Sequence, residues 1–166
     1  FVKSMDQLPP FEDYNMAGRT YRFMHEEPHY RFGFGLSYTS FAYADLKCRP
    51  DSGKKERPIK AGDGITVTVD VTNTGERDGD EVVQLYIKDL EASVPVPRHH
   101  LEGFKRIHLK AGKTRTVEFQ LKGEQFACFD DAGKPFVEPG AFQISVGGGQ
   151  PDDPNACSIQ TKISIT

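Results

Sequence analysis

The run ITVTVDVTNTG, residues 65–75, constrains the fold more than any other stretch of this chain. Ile65, Val67, Val69 and Val71 fall on one side of it, and Thr66, Thr68, Asp70 and Thr72 on the other. Side chains alternate across a strand, so this strict period of 2 predicts a strand with one face in a core and one toward water. The pattern returns in EVVQLYIKD, where Val83, Leu85 and Ile87 alternate with Gln84, Tyr86 and Lys88. It returns again through Val117, Phe119 and Leu121 in TRTVEFQLK, and through Phe142, Ile144 and Val146 in AFQISVGG. SYTSFAYADLKC supplies a first strand, SIQTKISIT a final one through Ile163 and Ile165, and short strands are expected near 104–109 and 126–129.

Turn formers stand between these runs: Gly62 and Gly64, Asn73 and Gly75, Gly112, Gly133, and Pro139 with Gly140. Many short strands with such punctuation and no convincing amphipathic helix indicate an all-β antiparallel sandwich. The chain has no Trp, so it lacks the buried Trp of antibody domains. A fibronectin type III-like member of the immunoglobulin-like sandwiches fits better. At 166 residues the chain is long enough for one domain with its own core, plus an extension.

The extension is residues 1–36. LPPFEDYNMAGRTYRFMHEEPHY shows no clean period, and Pro9, Pro10 and Pro28 interrupt it, so it reads as an extended connector leading into a sandwich over 37–166. Its rings (Phe11, Tyr14, Tyr21, Phe23) are too many for a free tail, because disordered segments are poor in aromatics. Something should cover them. The start, FVKSMDQLPPF, has neither a basic region nor a continuous apolar run, so no signal peptide is expected there; lacking Met, it reads as cut from something longer.

Net charge is −3, which disfavours nucleic acid and anionic membranes as partners, and no apolar run approaches the roughly 20 residues of a membrane span. Cys48, Cys128 and Cys157 contain no C-x-x-C spacing, so small buried thiols are expected rather than zinc or dithiol chemistry. Gly33-Phe-Gly35 is no dinucleotide loop: Tyr38 stands where the third glycine belongs, and a strand follows instead of a helix. NTGERDGDE is acidic, but Gly75 and Arg77 occupy places where calcium ligands would be needed, so an inter-strand turn is expected. The adjacent pairs Glu12/Asp13, Glu26/Glu27 and Asp130/Asp131 do not make facing carboxylates, since neighbours on a strand diverge. His99 and His100 read as an exposed loop, and no G-x-S-x-G elbow accompanies them. The sequence therefore indicates no metal, no cofactor and no catalytic residue.

Several stretches, in order, resemble the C-terminal end of family 3 glycoside hydrolases. LPPFEDYNMAGRTYRF resembles the connector leaving the second, α/β domain of that family, and YRFGFGLSYTSFAY the entry into its fibronectin-like third domain. VTVDVTNTGERDGDEVVQLYI, LEGFKRIHLKAGKTRTVEFQL and EPGAFQISVGGGQPD resemble the strands that follow. The connector and the GGGQPD ending are most similar to the bacterial β-xylosidase branch. The resemblance implies a parent that hydrolyses terminal β-xylosides or β-glucosides, often secreted or periplasmic, with catalytic barrel and α/β domains as this region's partners. The family's nucleophile lies on the barrel and is followed by Trp, and its acid/base comes from the second domain. No residue here matches either position.

On that reading Gly33 and Gly35 form a hinge, and Phe32, Phe34 and Tyr38 anchor it by burial. Phe11, Tyr14, Met16, Tyr21 and Phe23 would pack between the sandwich and the α/β domain, with Arg19 and Arg22 pairing across the seam. An exposed apolar patch on the chain alone would follow, against the alternative that the connector folds back wholly onto the sandwich. A carbohydrate-binding module is the competing reading, with polysaccharide as partner and Tyr38, Tyr43 and Tyr86 as stacking rings. A standalone adhesion or interaction domain is a third.

Overall fold

The computed structural model describes residues 1–51 and 58–166; residues 52–57, inside the expected sandwich range, lie outside the described residues. Among the described residues, seven principal strands form two antiparallel sheets. The first sheet has the order β1 (Phe41–Pro50), β2 (Ile65–Asn73), β5 (Thr114–Leu121). The second has the order β4 (His100–Leu109), β3 (Gly79–Asp89), β8 (Gly140–Gly147), β9 (Ser158–Ile165). A small hairpin, β6 (Cys128–Phe129) with β7 (Pro135–Phe136), lies outside both.

The expected alternation sets the packing. Ile65, Val67, Val69 and Val71 are completely buried, while the threonines and Asp70 between them are half-buried. Their partners across the sandwich include Val83, Leu85, Ile87, Ile144 and Val146, also completely buried. Phe126 closes one end, its ring edge-on to Phe142 with centroids 5.3 Å apart. At about 25 cal/mol per Å² of apolar surface removed from water, this interior is the dominant source of stability. The strand expected near 126–129 is shorter than anticipated: a 3-10 turn, Gly123–Phe126, comes first and β6 has two residues.

The NTGERDGDE stretch is a turn between sheets, organised by one residue. Asn73 is completely buried. Its Oδ1 accepts from the Thr39 hydroxyl at 2.7 Å and the Gly75 amide at 3.1 Å, and its Nδ2 donates to the Arg77 and Leu109 carbonyls at 2.8 and 3.0 Å. A buried amide costs little only when its hydrogen-bonding groups are matched, as here.

One expectation about face polarity is corrected. On β3, Val83 through Ile87 are all buried, so Gln84 and Tyr86, on the side read as polar and open, are as dry as the core side. The reason is the N-terminal segment, which lies over the outer face of the β4-β3-β8-β9 sheet.

Candidate functional site

The covered face is built from three parts of the chain. β3 presents Gln84 and Tyr86, the entry to β4 presents His99, and the loop between β8 and β9 presents Gln150 and Asp152. Over them lie a single helical turn, α1 (Thr20–Phe23), and the stretch containing Phe32 and Gly33. The Tyr21 ring stacks on Phe32, centroids 4.4 Å apart and planes 12° apart, and meets Tyr86 edge-on at 6.3 Å. Tyr86 is 1 % exposed, and its hydroxyl donates to Gln84 Oε1 at 2.6 Å. Burial, with Tyr21 and Asp152 nearby, pushes the Tyr86 hydroxyl well above the ordinary tyrosine range.

Backbone hydrogen bonds hold the segment down. Gln84 Nε2 donates to the Gly33 carbonyl at 3.3 Å and the Gly148 carbonyl at 3.2 Å. The Arg98 amide donates to the Arg22 carbonyl at 2.7 Å, and the Leu101 amide to the Tyr21 hydroxyl at 3.1 Å. The Arg98 guanidinium reaches the Met24 carbonyl and Asp152, which also pairs with Arg31 at 3.2 Å. Gly33 has φ +79°, and a Cβ there would stand 2.6 Å from Gln84 Oε1. Side chains avoid that backbone region, so the site admits only glycine without rearrangement. Gly35, paired with it as a hinge, has no positive φ and open space around it.

The remaining sequence-selected residues divide sharply. Phe11 and Tyr14 are 85 % and 87 % exposed, Met16 is partly exposed, and Phe32 and Phe34 are about half exposed at 48 % and 49 %. Tyr38, expected to anchor by burial, is 93 % exposed, and Leu36 beside it is equally open. The Arg19 guanidinium closes the segment on itself by donating to the Pro10, Asp13 and Asn15 carbonyls. Arg22 lends its carbonyl to Arg98 and lines a cavity of about 430 Å³ beside His100, Glu102 and Phe126.

Of the three proposed stacking rings, Tyr86 is enclosed and cannot meet a sugar. Tyr43 is half-buried and donates its hydroxyl to Glu81 at 2.9 Å; burial and the carboxylate push that hydroxyl far up, and burial raises Glu81 as well. Tyr38 alone is open. The thiols also differ from expectation: Cys128 is buried, Cys48 is half-buried and pushed up to about 12 by burial, and Cys157 is exposed. His99, read as exposed, is 4 % exposed. The carboxylates of Glu12/Asp13 and Asp130/Asp131 are exposed and belong to separate regions, and Glu26 and Glu27 border a 750 Å³ cavity walled mostly by the N-terminal segment itself. Among the described residues no three His, Cys, Asp or Glu side chains are placed to share a metal ion.

The covered face was missed because its signal was polar. Gln84 falls on the polar side of its strand's alternation, His99 and Gln150 carry no periodic mark, and Tyr86 is the one large ring on that polar side.

Comparison with known proteins decides what sandwich this is. The family signature described as a fibronectin type III-like domain matches residues 81–150. A β-xylosidase of Formosa agariphila is 46 % identical over 143 residues, 86 % of this chain and 19 % of that protein. The chain is a fibronectin type III-like domain of the family 3 glycoside hydrolases. A periplasmic β-glucosidase of Salmonella typhimurium is 35 % identical over 160 residues, 89 % of this chain and 20 % of that enzyme. Among solved structures, a β-glucosidase from Erythrobacter marinus superposes with a TM-score of 0.71 at 38 % identity, covering 89 % of this chain and 18 % of the other. The chain thus spans about a fifth of the length of the relatives it matches. The match covers only that fraction of their length, and the fibronectin type III-like signature lies inside it.

Proposed function

We propose that the domain is a C-terminal accessory module of a hydrolase acting on terminal β-xylosides or β-glucosides, and that it stabilises the catalytic barrel and α/β domains by docking against them. Residues 1–36 serve as the connector from the α/β domain. One observation carries this reading: Phe11 and Tyr14 are almost fully exposed although residues 20–34, just after them, are tied to the sandwich. Large rings left open beside a built scaffold are what an interaction surface looks like. Tyr21 and Phe32 then fix the connector to the sandwich, while Phe11, Tyr14 and Met16 face the neighbouring domain.

The test is to place Phe11→Ser with Tyr14→Ser in the full-length hydrolase and in this chain alone. The melting temperature of the full-length enzyme should fall by several degrees and its half-life at elevated temperature should shorten, with the isolated chain unchanged. A full-length enzyme that keeps both would sink the docking role. The second reading, polysaccharide binding, rests on Tyr38, which borders a polar groove of about 340 Å³ lined by Glu81, Asp153 and Asn155 through its neighbours Ser37 and Thr39. Retardation of this chain in xylan or glucan gels, lost in Tyr38→Ala, would favour it over docking alone.

A further inference from the structure

The point at which the N-terminal segment meets the sheet contains a buried imidazole. His99 packs against the rings of Tyr21 and Tyr86, at centroid distances of 5.8 and 5.5 Å, and the two tyrosines also meet each other. Its Nε2 is 3.3 Å from the Gln150 side-chain amide; with the amide nitrogen turned toward the ring, Nε2 accepts, as a neutral imidazole does. Protonation would abolish that acceptor and place a charge among two aromatic rings. The adjacent hydrogen bonds that hold the segment, from the Arg98 and Leu101 amides, lie within two residues of this ring.

We propose that residues 20–34 form a strap that opens in acid, with His99 as the trigger. The closed strap keeps the imidazole neutral, whereas an opened strap exposes it to water, where it takes up a proton near its ordinary value of about 6.5. Burial lowers the affinity of His99 for a proton in the closed form; Asp152 opposes this, and Arg98, Lys88 and His100 reinforce it. The groups facing the ring are therefore Tyr21 on the strap, Tyr86 and Lys88 on β3, Arg98 and His100 at the entry to β4, and Asp152 on the β8–β9 loop. Asp152 stands 3.9 Å from Nε2, but it is already engaged by Arg31 and Arg98, which limits how far it can shelter an imidazolium.

The sign follows from linkage. A base whose proton affinity is depressed in the closed form supports closure fully above about pH 6.5 and progressively less below it, down to the closed-form value. Within that window each pH unit favours opening by up to about tenfold. The amides of Val69, Leu85 and Ile144 serve as the control, because these residues lie in the sandwich interior and not on the covered face that holds His99. The device belongs to this domain, whether or not the strap also touches a catalytic domain.

Hydrogen exchange of the whole chain, corrected for intrinsic rates, tests it. Between pH 7.5 and 5.5 the amides of residues 20–34, Arg98 and Leu101 should lose protection by about fivefold or more, while those of Val69 and Ile144 keep theirs. His99→Gln, which offers Gln150 an acceptor without a titratable ring, should flatten the dependence, and Asp152→Asn should keep it. A pH-independent strap in the unaltered chain, an unchanged dependence in His99→Gln, or its loss in Asp152→Asn would overturn the proposal. Direct titration of the His99 ring by NMR needs no variant: a value at or above about 6.5 would overturn it as well.

Discussion

Over residues 83–87 the two faces of β3 are both buried, and they are built on opposite principles. Inward, Val83, Leu85 and Ile87 belong to an apolar core of aliphatic and phenylalanine side chains, and the contact depends on shape and volume. Outward, Gln84 and Tyr86 are sealed by a segment about fifty residues earlier in the chain, and the contact depends on matched hydrogen bonds. Apolar burial is non-directional and tolerates small shifts; a buried amide or hydroxyl that loses its partner carries an uncompensated desolvation cost. The inner face should therefore hold the fold, and the outer face should hold the segment.

Truncating the inner face should have the largest effect. Leu85→Ala should cost about 2–5 kcal/mol and move the denaturant midpoint of the whole domain, with every strand amide losing protection together. A loss confined to the N-terminal segment would contradict the division. Gly33→Ala comes next, because it meets both a positive φ and Gln84. About 1–3 kcal/mol of strain is expected, read as loosened exchange over 20–34 with the strands intact.

Tyr86→Phe should be milder still. The ring keeps its contacts with Tyr21 and His99 while Gln84 Oε1 loses its donor, for about 1 kcal/mol. Equal losses of protection in the strap and in β2 would show that the two faces are not independent. The smallest effect belongs to Glu81. Burial raises its carboxyl in the folded state, so any support it lends is complete below the ordinary carboxylate value and is lost as pH rises through the raised one. Glu81→Gln, which still accepts from Tyr43, should raise the midpoint slightly at pH 7 and leave it unchanged at pH 3.5. A lower midpoint at pH 7 would mean that the ionised carboxylate stabilises the fold.

The strands and the face that points inward could be read from Ile65 to Val71 and from Val83 to Ile87, because a period of 2 records burial on one side, whereas the order of strands in each sheet could not. The segment's covering role was foreshadowed by its surplus of rings, yet which rings it spends on the sandwich was not. Tyr21 and Phe32 are stacked together, Phe11 and Tyr14 are not, and nothing in their immediate neighbours distinguishes them. Asn73 offers the same lesson. Its composition context says turn, whereas its complete burial depends on carbonyls at Arg77 and Leu109 and a hydroxyl at Thr39, brought together by the closing of two sheets.

Local alternation was enough to establish a fibronectin-like sandwich and the identity of its aliphatic interior, since hydrophobic burial is written residue by residue. The fate of the outer face was settled by packing at long range. Polar side chains such as Gln84, His99 and Gln150 can be buried or wet with the same sequence, and which occurs depends on whether distant groups arrive with complementary donors and acceptors.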